Sequence, residues 1–326
     1  ILRTLFRLLA GILYAVCLSA CDAKEPLPEN RDAEIESPVI ANDLSNQKVT
    51  AIAEDTQGHI WIGTFRGLNK NNVHDYHQYF CTDDSLGLPD NQITHLLRDS
   101  KNRFWVGTVN GVCLYTDKDN FRIIPIEADN KNVRQILEDR NGRIFLSTGF
   151  QLYAYHPREE KITCVLPEIC TGNTFYAQCH IAPDNNLWVM TSTGLRCYDL
   201  STLQLKESVA LSGYPYYSYL HNNELWITGN HTLSIFDTRT RSFKPLPQPI
   251  AQNTTLCNAD IDYIHPYGNN GLLLNTARHG MFYYNPATGS VTRQDENGFP
   301  FEMPRFRISR MFTDSQQNLW IGSVDQ

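Results

Sequence analysis

Apolar and polar residues alternate in short runs along most of the chain, and the runs come in pairs. VTAIA (49–53) and IWIG (60–63) form one pair, separated by DTQGH (55–59). Alternation with period two predicts half-buried strands, and two such runs around a polar turn predict a hairpin. The unit recurs in register as ITHLLRDSKNRFWVGTVNGV (93–112), VRQILEDRNGRIFLSTGFQL (133–152) and ISRMFTDSQQNLWIGSVDQ (308–326). Weaker copies are NNLWVMTSTGL (185–195), NNELWITGNHTL (222–233) and GLLLNTARHGM (271–281). Their anchor residues are Trp61, Trp105, Phe145, Trp188, Trp226, Leu273 and Trp320, about 43 residues apart on average. A strand-rich period of 40–50 residues predicts propeller blades. The expected fold is an all-β, seven-bladed β-propeller over residues 44–326, its last blade incomplete. The roughly 20 residues after each hairpin supply two outer strands per blade.

The turn inside each hairpin has its own chemistry. Asp55, Asp99, Asp139 and Asp314 open it, and Gly58, Asn102, Gly142, Asn185, Asn223, Asn270 and Gln317 stand three residues later. Asp first and Gly fourth is type I turn chemistry. Gly and Asn tolerate positive φ, so six of the seven fit a left-handed turn residue, and Gln317 has Asn318 beside it. Four aspartates in register invite a catalytic or calcium reading, but their recurrence fits turn capping better. The anchor is expected to fill the space between adjacent sheets. Gly63, Gly107 and Gly322 should let a neighbouring backbone approach. A small polar residue follows in most copies: Thr64, Thr108, Thr148, Thr191, Thr276 and Ser323.

Charge and composition narrow the partners. Twenty-eight Lys and Arg against thirty-five Asp and Glu give a net charge of −7. No basic face for phosphate is expected, so nucleic acid is not a partner of this segment. No Gly-rich phosphate loop, nucleophile elbow or HExxH is present, and no cofactor is expected. His74 and His77 look like a metal pair, but residues three apart on a strand point to opposite faces. Asn253-Thr-Thr255 has the form of a glycosylation acceptor, a short pattern of little weight by itself.

Residues 1–20 read as an export signal. Arg3 and Arg7 precede an uncharged, mostly apolar run of 13 residues at 8–20, shorter than the roughly 20 needed to span a bilayer. Residues 21–43 read as a flexible tether. Of nine Cys, Cys17 falls in the signal. Seven beyond Cys21 are expected to act mostly as small buried hydrophobes, with a Cys164–Cys170 bridge left open. The chain starts with Ile and stops inside a repeat, and is expected to be a piece of a longer protein. Residues 38–46 could add a strand to the seventh blade and close the ring.

Two resemblances follow from these residues. Leu18-Ser19-Ala20-Cys21 resembles the lipobox of bacterial lipoproteins, which implies lipidation at Cys21; ordinary cleavage after Ala20 is the alternative. The pattern I-x-x-I-x-x-D-x-x-G-x-I-W-I-G-T-x-x-G-L resembles the two-component regulator propeller repeat. Residues 86–94 look like that family's blade linker, and 44–49 like a shorter form. The resemblance implies an extracytoplasmic, periplasmic sensor of a hybrid two-component histidine kinase in Bacteroides-like bacteria. It further implies an oligosaccharide ligand, control of polysaccharide-utilisation genes by phosphorelay, and a homodimer formed through the full-length chain. The kinase would lie outside this segment, which is expected to be no enzyme itself. Membrane attachment would come from lipid at Cys21 or from a helix further along.

In a propeller, the ligand end carries the loops between second and third strands and those between blades. Two residues after the small polar position stand Arg66, Asn110, Phe150, Thr193, Arg278 and Asp325, with His231 at the matching place in the fifth copy. This position changes from copy to copy while its frame stays constant. An aromatic face could stack on a sugar, and Arg or Asn could take hydroxyls or a carboxylate. Free variation of hairpin tips is the alternative. The cluster at 214–219 (YPYYSY) reads as strand core or as a stacking platform. Two rival functions stay open: a propeller lipoprotein acting as a polysaccharide lyase or glycosidase, and a protein-interaction module.

Overall fold

The computed structural model describes residues 39–324, apart from 73, 83–86, 117–118, 170–176 and 304–306. The signal segment, Cys21, most of the tether, Cys170 and Asp325 lie outside the described residues. Each repeat folds into its own antiparallel sheet, with strands in chain order from the ring centre outwards. The innermost strands are Val49–Glu54, Ile93–Arg98, Gln135–Glu138, Ala177–Ile181, Pro215–His221, Ile261–Tyr267 and Ile308–Thr313. Each packs against the next, and the seventh packs back against the first. The architecture is a β-propeller.

Two expectations are corrected. The structure holds six complete blades rather than seven, because the seventh repeat forms only the two-stranded sheet Ile308–Thr313 and Leu319–Ser323. Val39–Ala41 does not complete that sheet. It pairs with Tyr76–Tyr79 on the outer edge of blade 1, making it five-stranded, and so takes the end of the expected tether into the fold. The ring is nonetheless closed, through the inner strands.

Anchors cement one blade to the next. Trp61, Trp105, Trp188 and Trp226 are fully or almost fully buried. Trp61 meets Phe104 and Tyr115 of blade 2 at ring distances of 5.1 and 4.6 Å. Trp105 meets Tyr155 at 4.9 Å, and Trp188 meets Phe236 at 5.1 Å. Losing such a side chain from a core costs about 3–5 kcal/mol. Trp320 is only half-buried, in a sheet that has two strands among the described residues. The glycines two residues after the anchors make room for a neighbouring side chain, not for backbone. A Cβ on Gly63 would stand 2.5 Å from Ile93 of blade 2, and one on Gly322 would stand 2.6 Å from Val49 of blade 1.

The four aspartates do cap turns. In Asp99, one carboxylate oxygen accepts from the Lys101 and Arg103 backbone N–H groups, and the other accepts from Trp105 Nε1 at 2.8 Å. Asp55 serves Trp61 and Asp314 serves Trp320 the same way, each at 2.9 Å. Blades 4 and 5 have Ala182 and Leu220 six residues before their anchors, and there Trp188 Nε1 and Trp226 Nε1 are buried without a partner. Positive φ occurs at six of the seven expected turn positions, Gln317 (67°) included. In blade 5 it falls on Asn222 (56°) rather than Asn223, because that hairpin closes with a two-residue loop between His221 and Glu224.

Inner strands expose one backbone edge to the central channel, and side chains from the preceding blade cover it. Gln135 bonds the backbone N–H and C=O of Cys179, and Gln178 accepts from the Ser218 N–H. Tyr217 donates to the Ile264 carbonyl and Tyr263 to the Met311 carbonyl. His95, His180 and His265 sit in the same interfaces. His180 bonds the Ser218 hydroxyl at 2.8 Å and His265 the Thr313 hydroxyl at 2.9 Å. Burial pulls all three down to about 4. An imidazole there is therefore neutral at pH 7.

Candidate functional site

The turns between second and third strands all emerge at one end of the ring, together with the blade-to-blade linkers. The small polar position builds these tips. The Thr64 hydroxyl donates to the Gly67 carbonyl at 2.8 Å and accepts from the Arg66 N–H at 3.1 Å. Thr108 does the same for Gly111 and Asn110, and Thr191 for Gly194 and Thr193. Thr276 donates to Gly280 and accepts from His279 N–H. A Thr at this place therefore locks the tip with local hydrogen bonds and leaves the next residues free to vary.

Arg66, Asn110, Phe150, Thr193, His231 and Arg278 are all exposed on these tips. They share one end of the molecule but occupy separate blades, with no direct contact among their side chains in view. Three exposed aromatics stand at the same end: Phe65 (50%), Phe150 (48%) and Tyr214 (77%). Lys48 lies 5.6 Å from the Phe65 ring centre. Tyr214 is thus no part of the core, whereas Tyr217 of the same cluster bridges two blades. A cavity of about 280 Å³ opens beside the Phe150 hairpin, lined by Glu127, Ala128, Asp129, Gln151, Tyr153 and Cys164. Tyr153 donates to Gln151 there at 2.6 Å.

His231 is the one tip residue drawn into a polar cluster. Its ring Nδ1 donates to the Asn258 carbonyl at 2.9 Å, and its backbone N–H donates to Asp260 Oδ1 at 3.1 Å. Asn258 and Asp260 follow two short helical turns, Gln248–Gln252 and Thr254–Cys257, inserted between blades 5 and 6. Next to them stand Tyr216 of blade 5 and Asp262 of blade 6. Burial, with the charges of Asp260 and Asp262, pushes Tyr216 up to about 12. Burial also raises the Asp262 carboxyl, against a 2.6 Å bond from Asn275 Nδ2 and the charge of Arg307. Tyr216, Asp260, Asp262 and Asn275 were invisible as a group in the sequence. They come together only through the insertion and through two strand bulges.

Among the described residues, no group of three or more His, Cys, Asp or Glu side chains converges as metal ligands would. His77 lies in the strand Tyr76–Tyr79 and His74 before it. No helix among those residues is long and apolar enough to cross a membrane.

Residues 43–66 and 87–110 match the two component regulator propeller family model. The chain therefore carries the two component regulator propeller signature in two of its repeats. It is similar in fold to the extracellular domain of a putative hybrid two component system from B. thetaiotaomicron, with a TM-score of 0.70 and 20% identity. That match covers 88% of this chain and 41% of the other, so this chain spans less than half of that domain. Virginiamycin B lyase from Staphylococcus aureus has a TM-score of 0.65 at 14% identity, covering 87% of this chain and 95% of the lyase. No curated protein matches the chain.

Proposed function

We propose that this propeller is the extracytoplasmic ligand-sensing part of a hybrid two-component system and that its ligand is an oligosaccharide. The observation that carries the reading is the set of tips: a backbone frame locked by a Thr hydroxyl in four of the repeats presents different polar and aromatic side chains at one end. Phe65, Phe150 and Tyr214 offer stacking faces there, and Arg66, Asn110 and Arg278 offer donors for hydroxyls or a carboxylate. The repeats and the fold likeness to the extracellular domain of a putative hybrid two component system support the signalling role. A periplasmic address, a homodimer of the longer protein, lipid attachment at Cys21 or a helix elsewhere, and phosphorelay control of polysaccharide-utilisation genes belong to the same reading. Ligand signals through such a protein only if it binds two arrangements of the sensor with different affinity.

The test is calorimetry of the purified chain against a panel of oligosaccharides, with product analysis of every sugar that binds. Binding without turnover supports a sensor. Cleaved product would favour a lyase or glycosidase instead, and no binding to any sugar would end the carbohydrate reading.

A further inference from the structure

The inner strands of five repeats carry a bulge at their second residue, and the bulged residues are Thr50, Thr94, Tyr216, Asp262 and Ser309. A bulge leaves its residue out of the ladder and re-aims the side chain, and bulges are common beside functional sites. In blade 2 the small hydroxyl has a structural task, since Thr94 donates to the Val133 carbonyl of blade 3. Blades 5 and 6 depart from this plan. They place a large phenol and a carboxylate at the ligand end, where the insertion between them brings in Asp260 and locks His231.

Tyr216 and Asp262 differ from the others in size and charge. The Tyr216 hydroxyl is buried without a partner, as are those of Thr50 and Ser309, but it stands at the end of a long ring beside the insertion; Thr228 lies next to it and turns its own hydroxyl to the Tyr217 carbonyl at 3.3 Å. A buried, unmade hydrogen bond costs roughly 1–3 kcal/mol, so such a group calls for an explanation. Asp262 is held from one side by Asn275 and faces the positive charge of Arg307 from blade 7. The cluster therefore combines a phenol, a carboxyl, an amide and two basic rim groups, contributed by three neighbouring repeats.

We propose that Tyr216 and Asp262 form a sugar-hydroxyl subsite between blades 5 and 6, taking two neighbouring hydroxyls of one sugar residue, with His231 and Arg307 at its rim. This rests on the carbohydrate reading above. Neighbouring hydroxyls suit the pair because a phenol both donates and accepts and a carboxylate accepts. A site built to bond a hydroxyl also rejects a sugar that lacks it, since its buried groups are then left unpaired.

The experiment compares the wild-type chain with Tyr216→Phe, Asp262→Asn and Arg66→Ala/Arg278→Ala, titrated with short gluco-, xylo-, manno- and arabino-oligosaccharides and their single-deoxy analogues. The subsite predicts that Tyr216→Phe and Asp262→Asn each weaken binding about tenfold or more, with the melting temperature of the unliganded protein kept. It also predicts that one deoxy sugar binds wild type weakly and loses little more with Tyr216→Phe. Sugar binding that survives both substitutions but falls in the arginine variant would overturn the subsite and leave the carbohydrate reading standing. A collapse of melting temperature in both variants would mark the pair as structural and also overturn it. No binding of any sugar to wild type would remove both readings together.

Discussion

The backbone N–H and the hydroxyl of Ser315 both donate to the Glu54 carboxylate, at 2.8 and 2.6 Å, across 261 residues of sequence. This contact joins the seventh repeat to the first. Ser100 binds Glu138 in the same manner between blades 2 and 3, its backbone N–H donating at 2.8 Å. The ring therefore closes with the same device that joins two consecutive blades.

Glu54→Ala should accordingly cost more than Glu138→Ala. The bonds Glu54 accepts from Ser315 are part-buried and those Glu138 accepts from Ser100 are exposed, so each loss is worth about 0.5–1.5 kcal/mol, the larger share falling on Glu54. Only Glu54 also holds the two ends of the chain together. Hydrogen exchange should accelerate along both Val49–Glu54 and Ile308–Thr313 in the Glu54 variant, and stay local to blades 2 and 3 in the Glu138 variant. Equal, local effects would mean that the ring does not depend on this closure.

The orphaned indoles of blades 4 and 5 give a gain-of-stability prediction. Ala182 occupies the capping position of a turn with the usual backbone bonds, Ala182 N to Asn186 O and Asn185 N to Ala182 O, both 2.9 Å. Ala182→Asp should let a carboxylate reach Trp188 Nε1 and raise stability by about 1 kcal/mol in urea unfolding. Leu220→Asp should not help Trp226, because the two-residue hairpin there lacks the cap geometry. Asp99→Ala should destabilise by roughly 2–3 kcal/mol, leaving Trp105 and Arg103 without their partner.

Acid should weaken the ring through its interface histidines. His95, His180 and His265 have folded values near 4 against 6.5 for a free imidazole. Below pH 6.5 the unfolded chain gains protons that the folded chain refuses, so stability falls from about pH 6.5 down to 4 and levels off beneath. The slope is on the order of 3 kcal/mol per histidine over that whole span. Asp55 and Asp314 have lowered values and contribute only further down, and the raised Asp262 carboxyl acts in the opposite sense, so the loss of stability above pH 4 belongs to the histidines. His180→Gln should reduce the slope in pH-dependent unfolding; an unchanged slope would remove the explanation.

Much of the fold was legible in the chain because its signals are local. The Trp anchor, the Asp six residues before it and the left-handed turn residue lie within one hairpin, so the turn-capping role of Asp55 and Asp99 and the anchor role of Trp61 and Trp105 could be read separately, while the bond that joins each pair appears only in the structure. Features set by strand pairing were not legible. The shorter blade 5 hairpin hides behind an Asn-Asn pair that fits either register. Val39–Ala41 pairs with residues 35 or more positions away. The tip residues Arg66, Asn110, Phe150, Thr193, His231 and Arg278 were found as a pattern, since the repeat that places them is local, and Thr clamps hold four of these tips. Asp262 was missed, and Tyr216 was met only as a member of the 214–219 cluster, because a bulge shows only once the partner strand is known.

The central claim, that the hairpin-tip end of the ring holds the ligand, is tested most directly by hydrogen–deuterium exchange of the chain with and without a bound oligosaccharide. Protection is predicted at tips 65–67, 109–110, 192–193, 230–231 and 277–279, and at 258–262, with the capped turns 55–59, 99–103, 139–143 and 314–318 unchanged. Protection confined to those capped turns, at the opposite end of the ring, would contradict it.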